Sequence, residues 1–174
     1  SGLPPYAPVS ELQEKYGSPN PKGLMEYIST CKREFKPQTK FQYSCLNYIT
    51  LQHIIETITG QSLRDFAKEN IFDILGMQYT DYLPTIQQQD GKWINTVACP
   101  WMDRIAPTEK QKDGSVLCGQ VHDPLARILN GGISGNAAIF SNANDIGILA
   151  AALLNGGEYN GRRILSPLGA KTMC

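Results

Sequence analysis

Behind Asn20-Pro21, a cap residue followed by a first-turn proline, Leu24, Met25, Ile28 and Cys31 fall at helical spacing. They predict a helix that stops before Pro37, because a proline pushes its predecessor out of the α region. Leu46, Ile49, Ile54, Ile55 and Ile58 predict a second helix with one apolar face, ended by Gly60. Ser62 and Asp65 form a shortened capping box, opening a helix through Leu63, Phe66, Ala67 and Ile71. Phe72, Ile74, Leu75 and Met77 continue as an apolar exit bent at Gly76. Ile146, Leu149, Ala150, Leu153 and Leu154 repeat at i, i+3, i+4, i+7 and i+8 behind the cap-rich run 141–145. That helix should end at Gly156-Gly157, and Ser166-Pro167 should begin another.

Between these segments the pattern dissolves. Pro4, Pro5, Pro8 and Pro19 give the N-terminal stretch the look of extended or turning coil. From Gln78 to Gly131 no period is sustained, and loops of that length usually line a site or carry short strands. Hairpin-like pieces are expected around Trp93–Val97 and Ser115–Val121, with a short helix from Asp123-Pro124 through Leu129. The expected fold is mostly α: four to six helices, a long irregular loop and few short strands, with no strand–helix alternation to build a parallel sheet.

Composition narrows the function. At 174 residues the chain is one domain's worth, read as residues 1–174 without an internal boundary. Sixteen basic and sixteen acidic side chains cancel, so a nucleic-acid partner is not expected. No apolar run reaches the length that spans a membrane, and the start Ser1-Gly2-Leu3-Pro4 is not that of a signal peptide. Five cysteines without a C-x-x-C pair, and only His53 and His122, point to free thiols and to no zinc site. Cys99 and Cys118 could pair across a loop. Nothing in the sequence asks for a cofactor.

Three groups could carry chemistry. Ser29 and Lys32 share the S-x-x-K spacing in which a lysine activates a serine, but Lys32 leads into Arg33, Glu34 and Lys36, a solvated face. Tyr43, before an apolar helix, could act as a general base if cations lowered its pKa. His122 beside Asp123 could form an acid–base pair, yet Asp123 before Pro124 is most simply an N-cap. Trp93, Trp101, Tyr79 and Tyr82 are expected to pack the long loop onto the helices.

Residues 41–49, Phe-Gln-Tyr-Ser-Cys-Leu-Asn-Tyr-Ile, resemble the segment around the catalytic tyrosine of the serine β-lactamase-like family, which includes class C β-lactamases, D-alanyl-D-alanine peptidases and related esterases. Further likenesses follow in the family's order: TGQSL at 59–63, IFDILGM at 71–77, IAPTE at 105–109, GQVHD at 119–123, GGISG at 131–135 and FSNAND at 140–145. Ser1-Gly2-Leu3-Pro4 is similar to the tail of the family's "LLTHTSGLP" element. The resemblance implies serine acyl transfer on D-alanyl peptides, β-lactams or small esters, with a peptidoglycan-type peptide among the substrates. It assigns Tyr43 the base role, puts Cys45 where the motif has Asn, and gives Gly132, Gly135 and His122 substrate-binding places. A thiol does not reproduce a carboxamide's hydrogen bonds. Asn136-Ala137-Ala138 likewise replaces the family's "HAG".

In this family the nucleophilic S-x-x-K precedes the "LLTHTSGLP" element and a K-T-G or H-T-G strand follows later. The resemblance therefore implies the helical portion of an α+β β-lactamase/transpeptidase-like fold, cut from something longer and inactive alone. The missing remainder of the domain would be its natural partner, and bare helical faces would favour self-association. The parent would work in the periplasm or outside the cell of a bacterium. A non-catalytic module binding cell-wall peptides or a protein, from a pseudoenzyme, is the alternative. A free-standing protein that keeps only this half is a third.

Overall fold

The computed structural model describes residues 1–173. In chain order the helices are α1 (Val9–Tyr16), α2 (Pro21–Thr30), α3 (Cys45–Thr59), α4 (Leu63–Ala67), α5 (Asp73–Leu75), α6 (Ala143–Leu154) and α7 (Pro167–Met173). Short strands are β1 (Asp81–Tyr82), β2 (Thr85–Gln87), β3 (Trp93–Asn95), β4 (Glu109–Lys110), β5 (Val116–Leu117), β6 (Ile139–Phe140), β7 (Glu158–Tyr159) and β8 (Arg162–Arg163). This overturns the expectation of a mostly helical chain with four to six helices. The described residues hold seven helices, and at 43% helix and 12% strand in several small sheets the architecture is mixed α/β.

The reason lies in strand length. Strands of two or three residues are too short to show alternation, so their signal resides in the turns. β2 pairs antiparallel with β3 around Asp90-Gly91, and β4 with β5 around Asp113-Gly114. β7 pairs with β8 across the two-residue turn Asn160-Gly161, where φ is 50° and 72°. An Asn-Gly pair at positive φ is the favoured link for so tight a hairpin.

The chain forms two compact units. Residues 1–63 and 82–138 make the first, whose core contains Leu3, Leu12, Leu24, Ile28, Leu46, Ile49, Leu125 and Leu129. Here α1 replaces the expected coil: Pro8 precedes it and its carbonyl accepts from Leu12 N at 3.0 Å, so the proline starts a helix rather than preventing one. Leu12 is that helix's buried residue. In α2, the Asn20 side chain accepts from Gly23 N at 2.8 Å. In α3, Gly60 is left-handed at φ 69°, as a C-cap glycine should be. The buried face of α3 differs from the expected one. It consists of Leu46, Ile49 and Gln52, while Ile54 and Ile58 are exposed.

The second unit comprises residues 64–81 and the described residues from Ile139 on. A π-helical turn, Lys68–Phe72, joins α4 to α5, and left-handed Gly76 ends the segment. Arg64 grips Asp81 with two hydrogen bonds of 2.9 and 2.7 Å. Asn142 caps α6 by accepting from Asp145 N at 2.8 Å. The buried Asp145 carboxylate accepts from Tyr79 N and Thr80 Oγ1, both at 2.8 Å, and so ties α6 to the segment after α5. Ala152 is buried in α6, whereas Ile146 and Leu154 of the predicted apolar face lie exposed.

Candidate active site

Tyr43 stands where an extended segment turns into α3, and the two residues after it are anchored to the N-terminal stretch. Ser44, 1% exposed, donates from Oγ to Pro4 O at 2.5 Å, and Cys45 N donates to Pro5 O at 2.9 Å. That stretch is itself locked. Gly2 lies at φ 76°, its carbonyl accepts from Glu34 N at 2.8 Å, and a Cβ there would sit 2.1 Å from Phe35 O. The Tyr43 backbone is thus held from both sides of the turn while its ring remains 57% exposed. Its only described ring partner is Tyr48, one turn into α3, at a centroid distance of 5.7 Å.

The groups around the Tyr43 phenol push its pKa above the ordinary tyrosine value. Cys45 acts most strongly, through its potential negative charge and also by hydrogen bonding, with partial desolvation, Tyr48 and Asp123 adding to it. No cation is among them. The sequence argument required positive neighbours to lower this pKa, and the described residues supply the opposite field.

Asp123 belongs to a second constellation that sequence reasoning missed. Its Oδ1 accepts from Ala126 N at 2.8 Å, at the start of the π-helical turn Leu125–Leu129. Its Oδ2 accepts from the Tyr6 hydroxyl at 3.0 Å, and that hydroxyl accepts from Leu125 N at 3.0 Å. Burial above all, with Asp123 adding, raises the Tyr6 pKa far above its usual value, so Tyr6 remains the donor. Because 117 residues separate Tyr6 from Asp123, no local spacing could have signalled the pair.

His122 does not pair with Asp123. Its Nδ1 lies 3.5 Å from Glu109 Oε2, which also stands 3.7 Å from buried Arg127. Arg127 in turn donates to the carbonyls of Val121 and His122. The imidazole is two-thirds exposed.

Gly132 and Gly135 are sites of close backbone approach. A Cβ on Gly132 would lie 2.8 Å from Leu83 O, and one on Gly135 only 2.2 Å from Tyr48 O. Buried Gln52 fastens this loop to α3: its Oε1 accepts from Gly135 N at 3.0 Å and from Asn130 Nδ2 at 2.8 Å. Its Nε2 donates to Ile133 O and Glu56 Oε1. Tyr43 and Cys45 thus stand at the start of α3, and Gly135 meets the same helix at Tyr48 and Gln52. Gly132 lies against the Leu83-Pro84 backbone, and His122 lies beside Glu109.

Ser29 and Lys32 do not form a pair on one helix face. Ser29 Oγ donates back to Glu26 O at 2.8 Å, and α2 ends at Thr30 with Cys31 already extended. Cys31, Cys45 and Cys118 are free thiols. Among the described residues no group of three His, Cys, Asp or Glu side chains is placed to hold a metal, and no helix is long and apolar enough to cross a membrane.

Comparison with known proteins gives the family of the chain. The family model described as Beta-lactamase matches residues 1–173. A protein of Escherichia coli (strain K12) named "Putative D-alanyl-D-alanine carboxypeptidase" is 35% identical over 147 residues, covering 78% of this chain and 31% of its own length. One of the same name from Salmonella gallinarum is 30% identical, over 94% of this chain and 39% of its own. The chain spans about a third of the length of these relatives. Among solved structures, a penicillin binding protein from Bacillus halodurans aligns with a TM-score of 0.57 at 18% identity, over 98% of this chain and 46% of that one. A beta-lactamase/D-alanine carboxypeptidase from Pseudomonas syringae also reaches 0.57 at 18% identity, over 87% and 35%. At such identities the structural likeness speaks for the fold, and the family match shows that the chain belongs to the serine β-lactamase/penicillin-binding-protein-like family.

Proposed function

We propose that this chain is the part of a serine acyl-transfer hydrolase that carries the catalytic tyrosine and one wall of the substrate cleft. D-alanyl peptides of cell-wall type, β-lactams or small esters would be its substrates, and it would act outside the cytoplasmic membrane of a bacterium. The observation carrying this reading is Tyr43: an exposed phenol on a backbone anchored through Ser44 and Cys45, its ring against Tyr48, whose carbonyl the Gly135 backbone approaches. Tyr43 is the general base, working with a Ser-Lys pair from outside these 174 residues. Cys45 takes the place of the motif Asn, while Gly132, Gly135 and His122 border the cleft.

On this reading the isolated 174-residue chain does not hydrolyse substrate, because its single S-x-x-K, at Ser29, has its hydroxyl turned back to Glu26 O. Its bare helical faces, with Ile58 and Leu154 more than three-quarters exposed, favour self-association. A fluorescent penicillin should label the full-length protein covalently and leave the isolated chain unlabelled and oligomeric in light scattering. Labelling of the isolated chain would return the nucleophile role to Ser29, and a monodisperse monomer would contradict the association.

One observation favours a second reading, a non-catalytic module that binds cell-wall peptides or a protein partner. Cys45 holds the Tyr43 pKa up, against what a base needs. Replacing Cys45→Asn in the full-length protein separates the two. An enzyme responds with increased turnover and with the ascending, base-controlled limb of its pH–rate profile moved to lower pH. A pure binding module shows no turnover before or after.

A further inference from the structure

A groove of about 760 Å³ opens on the first unit. It is reached along α3 from the Tyr43 end, since Gln52 lies about 10 Å beyond Cys45 at 1.5 Å per residue. A volume of this order is typical of small-molecule sites. Pro19, Met25 and Ile49 supply apolar wall, and Gln52 and Asn130, 6% and 5% exposed, form a polar floor.

The floor presents an unused acceptor. Gly135 N donates to Gln52 Oε1, which fixes the direction of the Gln52 amide. Asn130 must then also donate to that oxygen, and its Nδ2 spends its other hydrogen on Ser134 Oγ, both bonds being 2.8 Å. The Asn130 Oδ1 is left as the open end of the network at the groove surface, with no donor among the described residues. A buried amide oxygen in that position favours an incoming N–H or O–H.

Charge adds direction. Lys22 and His53 on the rim have no side-chain hydrogen bond or ion pair among the described residues, and Glu56 lines the same groove. A ligand suited to all of these features has an apolar body, a backbone N–H, an anionic end and a cationic end. We infer that this groove binds short apolar peptides with free termini, Asn130 Oδ1 accepting a peptide N–H, Lys22 and His53 facing the carboxylate and Glu56 facing the ammonium. The inference stands apart from acyl transfer at Tyr43.

Its test uses the full-length protein and L-alanyl-L-leucine, a dipeptide outside the D-alanyl class proposed for Tyr43, so that failure here and failure there are distinguishable. Calorimetric or NMR titration should show saturable binding, with the Asn130 side-chain amide signal shifting. Acetylating the amine or amidating the carboxylate should each weaken binding at least fivefold. Lys22→Met should weaken binding of the free acid by a similar factor and leave binding of the amide unchanged. Thr57→Trp, which fills the groove from an exposed lining position, should abolish binding. The absence of saturable binding, equal affinity for the doubly blocked dipeptide, or undiminished binding to Thr57→Trp would overturn the inference.

Discussion

At the level of single residues, the tyrosines are set apart by their surroundings. Tyr43 is exposed, Tyr6 is tied to Asp123, and Tyr82 is buried, with its pKa pushed up to about 12 mainly by desolvation and further by Glu56. For Tyr82 the consequence is a pH dependence. The folded state keeps this proton longer than the unfolded chain, whose tyrosines titrate near 10. Stability from the group is therefore complete below about pH 10 and is lost as pH rises toward 12. A shift of this size corresponds to about 2–3 kcal/mol, as an order of magnitude. Alkaline denaturation of the wild type beside Tyr82→Phe should show that this part of the loss disappears in the variant. Identical pH curves would remove the burial argument.

Elements show where local sequence determines structure and where distant partners take over. Asn20-Pro21, Gly60 and Asn142 cap the helices they were expected to cap, because a cap is settled within four residues. The buried face of α3 could not be read the same way. Its inward position 52 is a glutamine, buried because Asn130, Ile133 and Gly135 meet it from some eighty residues away. Periodicity weighs apolar side chains, so it chose Ile54 and Ile58 instead. Tyr43 and the glycine loop were legible as motifs, whereas Tyr6 was not, its role depending on a partner 117 residues off. The α3–loop contact also gives a sharp contrast between two glycines. Gly135→Ala places a methyl 2.2 Å from the Tyr48 carbonyl and should destabilise the protein by about 3 kcal/mol. Gly147→Ala, in α6 with nothing within 4 Å, should be neutral or stabilise by about 0.5–1 kcal/mol. Urea denaturation of both variants checks the pair, and equal effects would contradict the close approach.

On the scale of the whole molecule, family membership rests on a match running through nearly the whole chain, both compact units included. The motifs are spread over both units: the Tyr43 segment and the glycine loop in the first, the Asn142–Asp145 cap in the second. What these residues provide is position. Ser44 and Cys45 pin the Tyr43 turn to Pro4 and Pro5, and Gln52 fastens the glycine loop to the helix that starts there. On the proposed function, such a scaffold presents one phenol to a reaction whose nucleophile comes from elsewhere in the protein. The central claim, that Tyr43 is the base of an acyl-transfer site, is tested most directly by steady-state hydrolysis of a D-alanyl-D-alanine peptide by the full-length protein and its Tyr43→Phe variant. The account predicts a loss in kcat of about 10²–10⁴-fold, the usual contribution of a positioned acid–base group, with KM little changed. Undiminished kcat in Tyr43→Phe would contradict it.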